Sequence, residues 1–158
     1  MKLYVVRHVK AGSRTSWDGD DDRQRPVSKS GRRQADAIAA RLAPEGISQL
    51  VSSPYARCVQ SLEPLAALLG LSVLEDERLA EGGQLERSLA LAAEATDGTV
   101  LCSHGDVIPD LIMGLVRRGM ELTTPADWRK ATIWVIEGPG GEELFTHAAV
   151  EPPPPKHP

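Results

Sequence analysis

The sequence predicts an α/β fold: a three-layer α/β/α sandwich with a mostly parallel central sheet and a C-terminal antiparallel hairpin. Three observations carry this. The run Leu3-Tyr4-Val5-Val6 is four β-prone residues cut off by Arg7-His8, the pattern of a central strand covered on both faces. Similar short runs recur at residues 49–52, 71–74 and 99–102, each followed by an apolar pattern at helical spacing, and such alternation builds parallel sheets. Near the end, residues 132–137 and 142–147 flank Gly138-Pro139-Gly140-Gly141, a hairpin signal.

Each element has its own justification. After His8 a polar loop runs over residues 9–29 and includes the acidic run at 18–22; a calcium loop is disfavoured there, because Arg23 and Lys29 stand where an EF-hand needs Gly and Glu, and the run is expected to be solvated loop. Ser28 offers an N-cap to a helix whose stripe is Ala35, Ile38, Ala39 and Leu42, ended by Pro44 and Gly46. The strand at 49–52 leads to Ser53-Pro54, read as N-cap and first helical residue, with Arg57 in the first turn. Pro64 is expected to kink or break that helix, and Gly70 to close it. A strand at 71–74 precedes a charged stretch and a helix over 85–95. The strand at 99–102 then ends in Ser103-His104-Gly105-Asp106. In the helix after it, Val107, Ile108, Leu111, Ile112, Leu115 and Val116 form one stripe, and Pro109 is tolerable in its first turn.

A length of 158 residues, 41% of them hydrophobic, suits one ordinary domain, read as residues 1–150 with an extended Pro-rich tail at 151–158. No apolar run approaches the roughly 20 residues that cross a bilayer, and the N-terminus lacks the order of a signal peptide, so the expectation is a soluble, cytoplasmic protein with no membrane partner. Cys58 and Cys102 lack metal-ligand spacing and read as buried free thiols. The net charge of −4 is uneven: residues 1–33 hold nine Lys/Arg against four Asp, and the remainder nine against eighteen Asp/Glu. A locally basic site on an acidic body suits an anionic ligand and argues against nucleic acid.

The predicted strands release Arg7 and His8, Arg57, Glu81 and His104 at one sheet edge, where ligands of open α/β sheets bind. Two guanidiniums offer planar forks that match phosphate oxygens, and the helix start at Gly105 adds amide donors. Two imidazoles beside such an anion suggest a nucleophile and an electrostatic partner.

These residues also carry a resemblance. Arg7-His8 with Ala11, the stretch from Ser53-Pro54 through Arg57 to Ser61, Leu79-Ala80-Glu81 and Ser103-His104-Gly105 resemble, in order, the motifs of the histidine phosphatase superfamily, the phosphoglycerate-mutase-like group. The resemblance implies that group's fold and a phosphatase without metal or other cofactor. In it His8 becomes phosphohistidine, Arg7, Arg57 and His104 form the phosphate pocket, and Glu81 donates the proton. Val9 replaces the group's usual Gly, and Arg14 stands where true mutases carry Asn; Arg14 is either a further phosphate contact or a solvated loop residue. The absence of long insertions argues against a glycolytic mutase. Compact bacterial phosphohistidine phosphatases and the phosphatase half of two-domain nudix hydrolases fit better, the latter through residues 11–14 and 21–26. The implied partner is a phosphorylated small molecule or a phosphohistidine protein. A mutase-type phosphotransferase and a non-catalytic phosphate-binding module are the alternatives, while a metallophosphoesterase lacks recognisable paired Asp/His ligands.

Overall fold

The computed structural model describes residues 1–15 and 17–155. In chain order they form β1 (Lys2–Arg7), α1 (Lys29–Leu42), β2 (Gln49–Ser52), α2 (Ala56–Leu69), β3 (Val73–Glu75), α3 (Leu85–Glu94), β4 (Thr99–Ser103), α4 (Val107–Arg117), β5 (Glu121–Leu122), β6 (Ile133–Glu137) and β7 (His147–Glu151). The strands make one sheet in the order β3-β2-β4-β1-β6-β7-β5. Strands β1 to β4 pair in parallel. β6 runs against both β1 and β7, and β5 runs with β7. This is the expected mostly parallel sheet with a C-terminal antiparallel pair.

Alternation along the strands divides the core. Leu3, Val5, Val51, Leu101 and Trp134 pack with Leu89 and Ala92 of α3 and with Ile108, Leu111, Ile112 and Leu115 of α4. On the other face Tyr4, Val6, Leu50 and Val100 pack with Ile38 and Leu42 of α1 and with Cys58, Leu62 and Leu65 of α2. Both cysteines are buried free thiols, as expected.

Several local expectations need correction. α2 begins at Ala56, not Pro54, because the Ser53 hydroxyl faces His104 and caps no helical amide. Pro64 does not break α2: Cys58 and Leu62 before it and Leu65 after it are buried in one core, and that packing outweighs the roughly 3 kcal/mol cost of a mid-helix proline. β3 starts at Val73 instead of Leu71, since the Leu71 amide still bonds Ala66 O at 3.1 Å to close the helix. The return strand of the hairpin starts at His147, not Glu142. Residues 138–146 are consumed by a turn in which Gly138, Gly140, Gly141 and Leu144 have positive φ and Gly140 N bonds Leu144 O at 2.7 Å. β7 takes in Glu151, while Pro152 to Pro155 line a groove with Ala37, Ile38 and Arg41 of α1; the expected tail residues 156–158 lie outside the described residues. β5, only two residues long, had no periodicity to reveal it.

α1 is anchored directly to the chain leaving β1. Ser28 caps it through Gly31 N at 3.1 Å, and Lys10 O accepts from Ser28 N at 3.0 Å. A Cβ on Gly31 would stand 2.0 Å from Lys10 O. Gly→Ala inside a helix ordinarily stabilises by up to about 1 kcal/mol, so this clash reverses the sign. Gly31→Ala is expected to lose about 2–3 kcal/mol in urea denaturation. A stabilised variant would show that Lys10 can move away.

Candidate active site

The carboxyl ends of the parallel strands bring the predicted residues together. β1 ends in Arg7 and is followed by His8; Arg57 is the second residue of α2, just past β2; His104 and Gly105 follow β4; Glu81 lies on the loop between β3 and α3. Arg7, His8, Arg14, Arg57, Glu81 and Gly105 all line one cleft of about 840 Å³. His104 does not line it. Its ring packs edge-on behind His8, centroids 5.5 Å apart, and its Nε2 lies 2.8 Å from Ser53 Oγ and 3.6 Å from Cys58 Sγ.

His8 is 6% exposed. Its Nδ1 is 2.8 Å from Val9 O, and a carbonyl can only accept, so Nδ1 carries the proton. Nε2 is then the lone-pair nitrogen, with no hydrogen-bond partner among the described residues. The loop is fixed around the ring: His8 N donates to Ser103 O at 3.1 Å, and Val9 N donates to Ser61 Oγ at 2.9 Å. Burial pushes the His8 imidazole down to about 3, with His104, Arg57 and Arg7 adding to the fall and the Val9 hydrogen bond opposing it. The ring is therefore neutral near pH 7.

That shift carries a stability consequence. Between pH ~6.5, the ordinary histidine value, and about 3, the unfolded chain holds a proton that the folded chain does not. The contribution is fully present above pH 6.5 and is lost as pH falls through this window. From pH 7 to pH 5 this group is expected to remove about 2 kcal/mol. His8→Gln should flatten the pH dependence of denaturation by that amount, and an unchanged slope would assign the loss to other groups.

The cations are held differently from one another. Arg7 Nη1 donates to Trp128 O at 2.6 Å. Its Nε is buried without a partner among the described residues, a donor that an anion in the cleft would take up. A Cβ on residue 105 would come 2.7 Å from Arg7 Cζ, so Gly105 is what lets the guanidinium lie against the backbone. Arg57 is 1% exposed, packs over the Tyr55 ring at 4.8 Å, and donates through Nη2 to Asp22 Oδ2 at 3.2 Å and Glu81 Oε2 at 3.4 Å. Arg14, exposed at the rim, reaches the other oxygen of Glu81 at 3.3 Å.

Other residues of the cleft had no strong sequence signal. Lys10, Arg25 and Lys130 line it, and Asp22 stands behind it. The acidic run is therefore not all solvated loop: Asp22 Oδ1 accepts from Arg25 Nε at 2.8 Å, which with the Arg57 charge holds its carboxyl below the usual range. Asp106 caps α4 through Val107 N at 2.9 Å and takes Gly82 N at 2.7 Å, tying the Glu81 loop to the helix start. Trp128 and Lys130 come from the loop before β6, a piece of chain more than 120 residues from Arg7.

A neutral imidazole with a free Nε2 in a basic cleft suits capture of a phosphoryl group. The comparisons with known proteins identify the family. A curated 8-oxo-(d)GTP phosphatase of Mycolicibacterium smegmatis is 36% identical over 146 residues, covering 89% of this chain and 45% of that protein. The chain thus spans less than half the length of the curated relatives it matches. Among solved structures, a candidate phosphohistidine phosphatase, SixA, from Nakamurella multipartitia superposes with a TM-score of 0.75 at 26% identity, covering 96% of this chain and 95% of that one. A mycobacterial glucosyl-3-phosphoglycerate phosphatase shares the fold, with a TM-score of 0.70 at 20% identity over 96% and 97% of the two chains. The sequence pattern of the histidine phosphatase superfamily (branch 1) matches residues 3–89, more than half of the protein and the part that holds Arg7, His8, Arg57 and Glu81. On that match, together with a sheet that delivers those residues to one cleft, the chain belongs to the histidine phosphatase superfamily.

Proposed function

We propose that the protein is a phosphatase that carries a phosphoryl group on His8 Nε2 between its substrate and water. The observation that carries this is the tautomer of His8: Nδ1 is engaged by Val9 O and burial keeps the ring neutral, so the lone pair sits on the nitrogen free to react. Nε2 attacks phosphorus and the bond to the leaving group breaks. Water then attacks the phosphorus of phospho-His8, the P–N bond breaks, and inorganic phosphate leaves with neutral His8 restored. Arg7 and Arg57 balance charge on the transferring oxygens. His104 acts from behind the nucleophile, and Glu81 handles the proton that passes to the leaving group and comes back from water. The positive charge comes from side chains, so the reading assigns no cofactor. The relative at 36% identity favours a small phosphorylated molecule of the nucleotide class; the SixA likeness supports a phosphohistidine protein as the second reading.

Leaving-group chemistry tests the role of Glu81. Two guanidiniums donate to its carboxylate oxygens. An alkyl phosphate expels a poor alkoxide and needs a proton donor, whereas phosphohistidine expels an imidazole and needs far less help. Glu81→Gln is expected to lower kcat/KM on an alkyl phosphate by roughly 10²- to 10⁴-fold and on phosphohistidine much less. Equal, small losses on both would remove Glu81 from the mechanism. Absence of turnover by the purified wild-type chain on phosphomonoesters, phosphate anhydrides and phosphohistidine alike would sink the phosphatase reading.

A further inference from the structure

Among the cations of the cleft, partnering is uneven. Arg25 is matched by Asp22 at 2.8 Å, Arg57 by Asp22 and Glu81 at 3.2 and 3.4 Å, and Arg14 by Glu81 at 3.3 Å. Arg7, Lys10 and Lys130 have no carboxylate within 4.0 Å among the described residues. Of the nearby acids, Asp106 is already engaged by the amides of Val107 and Gly82. Among the described residues six cations face three carboxylates, Asp22, Glu81 and Asp106, so three positive charges are in excess. Neutral His8 adds none. A single phosphoryl dianion leaves this excess unbalanced, whereas the roughly three negative charges of a diphosphate monoester match it.

We infer that Lys10 and Lys130 form an outer phosphate subsite, so that the substrate carries a second phosphoryl group beside the one transferred to His8, as in a nucleoside diphosphate. This rests on the phosphatase reading above. Both lysines are tied to the reacting centre by short stretches of backbone. Lys10 is two residues past His8, and its amide is fixed by Gln34 Oε1 at 2.9 Å. Lys130 is two residues past Trp128, whose carbonyl holds Arg7, and the next amide, Ala131 N, donates to Arg7 O at 3.1 Å. Lys130 also faces the other cations: partial desolvation at the cleft and then Arg7, Arg25, Lys10 and Arg57 lower its ammonium from the usual lysine range. Two unmatched, compact ammonium groups suit a group with several charged oxygens better than a single carboxylate. Arg7 and Arg57 remain with the transferred phosphoryl.

Calorimetric titration of the full chain with inorganic phosphate, pyrophosphate and 3-phosphoglycerate tests this without relying on turnover. Wild type is expected to bind pyrophosphate about 30-fold or more tighter than phosphate. Lys10→Gln combined with Lys130→Gln should bring that ratio below about 5, with a smaller change in the phosphoglycerate-to-phosphate ratio. Both side chains are exposed, so the fold should tolerate the change. A wild-type ratio near one, a ratio that survives the double substitution, or a larger loss for phosphoglycerate would overturn the subsite. A chain that shows the lysine-dependent ratio yet hydrolyses nothing would leave the subsite standing and remove the phosphatase reading; one that turns over substrate without the ratio would do the reverse.

Discussion

His8→Ala is expected to lower turnover by on the order of 10⁴-fold or more on every substrate. Among the described residues the two nearest nucleophiles are not free to take its place: His104 Nε2 is engaged with Ser53 behind the cleft, and Cys58 is fully buried. The substitution removes the lone pair that attacks phosphorus while leaving Arg7 and Arg57 to bind the anion. Rapid quenching of the wild type with labelled substrate should trap label that survives alkali and is lost in acid, the behaviour of a phosphoramidate. The variant should trap none. Near-native turnover in His8→Ala, or label on another residue, would make the nucleophile assignment wrong.

Arg57 is expected to give the second largest effect, and on two observables at once. Arg57→Ala leaves Glu81 without its buried partner and strips one of two donors from Asp22, in a position 1% exposed. Breaking a buried pair usually costs about 3–5 kcal/mol. Asp22 keeps Arg25 and is 41% exposed, so solvent screening brings the expected loss to about 2–3 kcal/mol. Turnover of the folded variant should fall by roughly 10²–10³-fold as a donor to the transferring oxygens disappears. Arg57→Lys keeps the charge but loses the planar fork and the stack on Tyr55, and should recover little of either. Native kcat/KM in the Lys variant would place the guanidinium outside the chemistry, whatever its effect on stability.

What could be read from sequence divides along a physical line. The ends of β1, β2 and β4 were legible because each short apolar run stops at polar residues, Arg7-His8, Ser52-Ser53 and Ser103-His104, and the residues past such ends face the ligand edge of a parallel sheet. Arg7, His8 and Arg57 therefore declared themselves. The second tier did not. Lys130 enters the cleft only because a distant loop closes on Arg7 through the carbonyl of Trp128, and a backbone acceptor leaves no trace in residue type. Asp22 looked like one member of a solvated acidic run, although its spacing to Arg25 was a usable signal for an ion pair. The depth of His104 was invisible for a similar reason: sequence fixes the strand it follows, while Ser53 on a neighbouring strand end decides which way its ring turns.

The central place of β1 has a consequence for how the protein is made. β1 holds the nucleophile at its exit, yet its two sheet neighbours are β4 and β6, and β6 ends at Glu137. At synthesis rates of about 5–20 residues per second, the earliest-made strand waits on the order of ten seconds before both flanking strands have been translated. Until β6 is made, at least one edge of Leu3 to Val6 is unpaired, the kind of segment that other chains or a holding chaperone would cover. Ribosome-stalled chains ending before β6 should therefore be proteolytically sensitive at β1, and chains extended past β7 should not.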